Sequence, residues 1–230
     1  PSTNHAHMDI GSFVVDAQGV RWAEDLGSQS YHDLESQGIA LWDNEQDGER
    51  WEVFRLNNFS HNALVVDGQK QRVAGHAPIV AFSDQGSMPR SVVEMGPVYE
   101  GQLAAAQRGV GLLDDRSVLV QDEIETLDRE TEVRWGMVTR AEVTIQDAHT
   151  ARLDRGGRRM VVQVVGPADA ALEIYETAAP PHDYDVRNPG TRMLGFTVAL
   201  PAATEARFAV LLSPGADAKE PPEIQPLADW

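Results

Sequence analysis

The feature that most restricts the fold of this 230-residue chain is its shortage of helical periodicity. Apolar residues recur with period two in short runs, and Gly, Asp and Asn separate the runs, which is the pattern of antiparallel strands buried on one face. The predicted strands are "PIVAFS", "SVVEMG", "RSVLVQDEI", "EVRWGMVTRAEVTIQ", "ARLDR", "RMVVQVV", "MLGFTVALP" and "ARFAVLLSP". Two hairpins precede them. In residues 11–25, Phe13 and Val15 are set against Val20 and Trp22 across a three-residue loop, Ala17-Gln18-Gly19. In "HNALVVDGQKQRV" the Asp67-Gly68 pair lies between two extended runs, a type I′ turn signal. Helical spacing is confined to residues 99–110 and 166–176. The first reads equally as a loop flanking a strand, and the second as a turn leading into one.

Roughly a dozen strands with so few helices predict an all-β fold, a large antiparallel β-sandwich of two facing multi-stranded sheets over one core. No internal repeat or linker divides it, so residues 1–215 are read as one domain. A Pro- and acid-rich tail, "ADAKEPPEIQPLADW", follows over residues 216–230. Its composition suits a mobile segment, although Leu227 and Trp230 offer apolar groups to dock it.

With 36 acids against 19 bases the net charge is −17, which argues against nucleic acid or an anionic membrane as partner. An anionic substrate would need a local basic pocket. Cysteine is absent, so disulfides are excluded. No apolar run reaches the roughly 20 residues of a membrane helix, and no signal peptide is recognisable. A chain that begins "PSTNHAH" without Met is expected to be processed, or cut from a longer protein.

The densest chemistry lies in "NHAHMD". On an extended strand His5, His7 and Asp9 project to one face, so two imidazoles can share a small volume. A zinc centre also needs a ligand from another strand. Asp25, at the end of the first hairpin, and His61, at the start of the second, occupy strand edges from which a polar side chain can reach an opening. Two imidazoles and a carboxylate suit zinc better than calcium, which prefers oxygen ligands. His-x-His pairs also occur on solvated strands, and spacing alone leaves both readings open. His32, His76, His149 and His182 lack even this support; His149 and His182 read as surface residues, His76 as a turn residue.

Residues 4–72 carry a more specific pattern: His-x-His-x-Asp-x-Gly-Ser-Phe, then an Asp-Leu-Gly-Ser turn, then Ser-His-Asn with an apolar strand and Val-Asp-Gly. It resembles the start of the C-terminal β-sandwich of the heparinase II/III-like family, which includes heparin, heparan sulfate and alginate lyases. "RSVLVQDEIE" and "VRWGMVTRAEV" are similar to later strands of that domain. The resemblance implies that His7, Asp25 and His61 hold a metal, usually zinc, and that His5 faces the substrate cleft and assists catalysis. It implies β-elimination on a uronic-acid polysaccharide, in which the carboxylate is neutralised, a base removes the C5 proton and an acid protonates the departing O4. In the family most of these groups come from an N-terminal α/α-toroid domain, whose helical hairpins are missing from this chain. The isolated chain is therefore expected to be inactive and to have that domain of the same polypeptide as its partner, with an acidic polysaccharide as substrate. A periplasmic or extracellular location follows from the resemblance alone, and the assembly state is open, a homodimer included.

Some such lyases add a Tyr between the metal-binding Asp and the Ser-His-Asn motif, and Tyr31 is the one tyrosine in that interval. The alternative is a loop residue packed on Trp42 or Trp51. Arg55 and Arg21 are candidates to pair with substrate carboxylates, or are solvated strand residues. Two other functions fit the same residues. A non-catalytic carbohydrate-binding or assembly module would present a row of aromatics, drawn from Trp22, Trp42, Trp51 and Trp135. A self-sufficient zinc hydrolase would need an open metal position and a general base, Glu24 or Asp9.

Overall fold

The structure, a computed structural model, describes residues 5–230; the first four residues, Asn4 of the motif among them, lie outside the described residues. Chain order runs β1 (Val15–Ala17), β2 (Val20–Ala23), α1 (Tyr31–Ser36), β3 (Val65–Val66), β4 (Ile79–Ser83), β5 (Arg90–Glu94), β6 (Leu103–Leu112) and β7 (Val118–Thr126). It continues through β8 (Thr131–Thr139), β9 (Glu142–Ile145), β10 (Thr150–Arg155), β11 (Arg158–Gly166), β12 (Glu173–Glu176), β13 (Arg192–Leu200) and β14 (Glu205–Pro214). One sheet has eight strands in the order β4-β5-β6-β7-β14-β11-β10-β9, the other four in the order β12-β13-β8-β3, and every paired strand is antiparallel. The β1–β2 hairpin stands apart as a two-stranded ribbon.

Both sheets feed one core, as the sandwich reading requires. Trp135 on β8 stacks on Phe196 of β13 at 5.7 Å, and Phe196 meets Phe208 of β14 edge-on at 5.6 Å, so an aromatic column crosses from the small sheet to the large one. Phe13 and Trp22 carry the ribbon into the same core. A second apolar cluster (Met8, Leu34, Leu41, Trp51, Val53, Leu56 and Val73) lies under residues 5–9, α1 and the loops that follow.

Several local expectations change. The β1–β2 loop has two residues, not three: Ala17 pairs with Val20, while Gln18 and Gly19 take positive φ (55° and 76°). Asp67 and Gly68 do form the predicted tight turn, with φ of 48° and 64° and a 2.8 Å bond from Gln69 N to Val66 O. Beyond that turn only the Val66–Gln69 bridge forms, because Val65 and Val66 pair instead with Arg134 and Val133 of β8. Residues 99–110 are not helical: Leu103–Leu112 is the ten-residue strand β6, whose Ala-rich start is overridden by pairing with β5 and β7. The turn reading of residues 166–176 is the one that forms, leading into β12.

The tail is docked. Leu227 and Trp230 lie on the outer face of the large sheet, where a Cβ on Gly109 would collide with both and one on Gly111 would come within 3.3 Å of Trp230. Leu119, Ala209 and Leu211 beneath pack with Ile224 and Trp230. Lys219 reaches back to the Asp115 carboxylate at 2.7 Å, and Gln121 Nε2 donates to Gln225 O at 2.8 Å. No helix among the described residues is long and apolar enough to cross a membrane.

Candidate functional site

Residues 5–9 form no strand, so the period-two argument is not what unites the two histidines. His5 and His7 nevertheless line one open cavity of about 480 Å³ with Ser28, Gln29 and Tyr31. Each turns to different neighbours. The His5 ring stacks on Tyr31, with centroids 5.5 Å apart and planes 4° from parallel, while Trp42 presses edge-on against both rings at 5.4 and 5.7 Å. The His7 ring lies 5.3 Å from that of His61.

His61 is fully buried. Its Nδ1 donates to Asp25 Oδ2 at 2.6 Å, and its Nε2 lies 3.2 Å from Arg55 O. Asp25 follows β2, and its Oδ1 accepts from Gly27 N at 2.7 Å, which fixes the carboxylate toward His61. Burial works against the charge on Asp25, but the hydrogen bond and charge of His61 and the Gly27 N–H hold its pKa below the usual carboxylate value. Burial, followed by the charge of His61, pushes the His7 pKa below the ordinary 6.5, which favours the neutral imidazole that offers a lone pair.

Three buried polar residues hold these groups in place. Asn62 donates to Phe13 O at 2.7 Å and Glu24 O at 3.0 Å and accepts from Val138 N at 2.6 Å, joining the ribbon to β8 beside His61. Arg108 donates to Gly11 O and Asn62 O. Arg50 donates to Ala6 O, between the two histidines, at 2.8 Å and to Leu41 O at 3.0 Å. Sequence reasoning singled out none of the three as an anchor; the place of Asn62 next to His61 in Ser-His-Asn was the one available signal.

The remaining candidates separate. Tyr31 opens α1 rather than lying in a loop, packs on Trp42 and also borders the cavity. Arg55 is not among the residues lining the cavity but donates to Ser28 O, which is, at 2.9 Å and to Asn188 Oδ1 at 2.8 Å; burial, then the charge of Arg140, lowers its pKa. Arg21 lies on the ribbon, paired with Asp16 at 2.8 Å. The proposed row of aromatics is corrected: Trp22, Trp51 and Trp135 are fully buried, and of the four only Trp42 is exposed, at 49%. Glu24 is nearly buried and engaged by Arg140 and Arg155, so it is not poised as a general base, whereas Asp9 is exposed. His32, His76 and His182 are exposed, and His149 bonds Ala168 O at 3.1 Å.

For a metal, two imidazoles and a carboxylate meet here and are the right kinds of donor. Their spacing is that of a hydrogen-bonded cluster. Two ligands on one tetrahedral zinc lie about 3.3 Å apart, whereas His61 and Asp25 are at 2.6 Å. Among the described residues no group of three or more His, Asp or Glu is arranged to hold a metal ion. Binding would require one His61 nitrogen to exchange its oxygen contact for the metal.

The family model for heparinase II/III-like C-terminal domains matches residues 1–212. No curated protein sequence is significantly similar to the chain. Among solved structures, a heparinase III with methylated lysines superposes with a TM-score of 0.69 at 18% identity, covering 91% of this chain and 30% of that one. The heparan sulfate lyase HepC from Pedobacter heparinus gives 0.68 at 16%, covering 95% and 32%, and another heparinase III gives 0.68 at 16%, covering 91% and 30%. At these identities the likeness is one of fold. The chain spans about a third of the length of these relatives.

Proposed function

This chain belongs to the heparinase II/III-like C-terminal domain family, and we propose on that premise that it is the β-sandwich part of a lyase that cleaves an acidic polysaccharide by β-elimination. The supporting observation is the pairing of His5 with Tyr31 at the edge of an open cavity, next to the His7, Asp25 and His61 cluster. In the reaction the C5 proton of a uronate passes to a base, the C4–O4 bond breaks, a C4–C5 double bond forms and O4 takes a proton. His5 and Tyr31 are the groups on this chain that can exchange protons at that cavity. The remaining catalytic groups, those that neutralise the carboxylate and remove the C5 proton, belong to a preceding α/α domain, so the chain alone is inactive. His7, Asp25 and His61 would hold a zinc ion, which would brace residues 5–9 against β2 and the His61 turn. A periplasmic or extracellular location accords with a polymeric substrate.

The burial of Trp22, Trp51 and Trp135 weighs against a stand-alone carbohydrate-binding module, and the ion pairs of Glu24 weigh against a self-sufficient hydrolase. The test is the ultraviolet absorbance of unsaturated uronate ends on heparin, heparan sulfate and alginate. The parent polypeptide should produce it, His5→Ala in that polypeptide should slow it by about 100-fold or more, and the 230 residues alone should produce none. An undiminished rate in the His5 variant would overturn the assignment.

A further inference from the structure

Arg50 is an anomaly. Its side chain is wholly buried, yet among the described residues no carboxylate lies within ion-pairing distance of it, and its Nε has no hydrogen-bond acceptor. Arg108, the other large buried cation, has the partner that theory demands, a bidentate contact with Asp122 at 2.7 and 2.9 Å. A guanidinium taken from water without a counter-ion loses several kcal/mol of solvation. Two carbonyls and two aromatic faces recover part of that: Ala6 O and Leu41 O accept from it, and it lies over the rings of Trp51 at 5.1 Å and Tyr31 at 5.8 Å. If holding Ala6 and Leu41 were its whole task, a neutral donor would do the same with less penalty.

What a neutral donor would not supply is the charge, and the charge lies against the ring of Tyr31, which lines the cavity. Tyr31, whose ring covers the guanidinium, borders that cavity with His5 and His7. The chain as a whole carries −17, so an anionic ligand approaches against the net field unless a fixed positive charge stands behind its site. We propose that Arg50 is that charge: a positioning residue that clamps residues 5–7 and Tyr31 and, without touching the ligand, makes the His5–Tyr31 cavity selective for an anionic pyranose over a neutral one. Because the guanidinium is already desolvated and held by two carbonyls, its field needs no reorganisation when the ligand binds. This inference rests on the acidic-polysaccharide reading above.

The test compares the affinity of the 230-residue chain for a uronate oligosaccharide with that for the same oligosaccharide after reduction of its carboxyls to alcohols. The ratio of the two reports charge recognition, whereas loss of scaffold lowers both together. In Arg50→Met the ratio should fall by about tenfold or more, the order of one charge acting through partly polar protein. Arg50→Lys, which keeps the charge and loses the fork, should keep the ratio. An unchanged ratio in Arg50→Met overturns the inference and leaves Arg50 a scaffold residue. Should Arg50→Met not fold, a ratio in Arg50→Lys that falls to that of a neutral site overturns it equally. Binding of neither oligosaccharide by the unmodified chain would overturn the inference, which places charge recognition on this chain, whereas the polysaccharide reading stands or falls with the absorbance assay on the parent polypeptide. Binding of both with a ratio indifferent to Arg50 also removes the inference alone.

Discussion

Arg108 and Asp122 form a two-pronged ion pair sealed inside the sandwich, with side chains 2% and 0% exposed and contacts of 2.7 and 2.9 Å. The third prong of the guanidinium donates to Gly11 O and Asn62 O, so a pair built across β6 and β7 holds the chain just after His7 and just after His61. The strength of the sheet is thereby carried to the candidate site.

Removing one partner leaves the other charge buried and alone. Asp122→Ala and Arg108→Met should each destabilise the fold by about 3–5 kcal/mol, and the double replacement by apolar residues should recover much of the loss. Urea unfolding measures all three. A single variant within about 0.5 kcal/mol of the unmodified protein would mean the pair is not the anchor described.

If His7, Asp25 and His61 bind zinc, chelator-free protein should carry one equivalent by elemental analysis, and both His7→Ala and His61→Ala should lose it. Chelation should then lower the melting temperature by about 5 °C or more, since a metal bound only by the folded state stabilises by mass action. Stoichiometric zinc in both variants would sink the site.

Gly109 and Gly111 leave the space that Leu227 and Trp230 fill. Gly109→Ala should therefore cost about 1–3 kcal/mol through overpacking, or should displace the tail and free Trp230. Truncation after Gly215 should relieve that penalty, so that Gly109→Ala is close to neutral in the shortened chain. Retention of the full cost without the tail would contradict the packing.

The tail has a pH signature of defined sign. The hydrogen bond from Lys219, then the backbone N–H of Ser117, hold the Asp115 carboxyl below its ordinary 3.8. The folded pKa being the lower, the contribution is present above the unfolded value and is lost as the pH falls through the folded one. Trp230 fluorescence should be flat from neutrality to about pH 5 and should change only below about pH 4. The pair is exposed, so the effect should be small and should shrink in high salt. A transition near neutrality would point to another group.

How far the sequence carried can be seen at particular residues. Strands β4, β5, β7, β8, β10, β11, β13 and β14 were legible because each is a short run rich in apolar and β-branched residues, alternating or continuous, set between turn residues. β6 was not, since "LAAAQRG" favours a helix locally and is a strand only because β5 and β7 pair with it. The helix α1 escaped notice because six residues with one buried side chain, Leu34, give no readable period.

The sequence by itself determined the antiparallel sandwich, the tight turn at Asp67-Gly68 and, through a motif spread over residues 4–72, the family and the residues to watch. Only the tertiary structure decided how those residues divide, with His7 toward His61 and Asp25, and His5 toward Tyr31 and Trp42. It alone brought the buried Arg50 guanidinium against Ala6 O and the Tyr31 ring. The reason is physical. Strand periodicity is a property of neighbours in the chain, whereas burial, hydrogen-bond partners and charge compensation arise between segments 40 or more residues apart, as between Arg50 and Ala6 or Arg108 and Asn62.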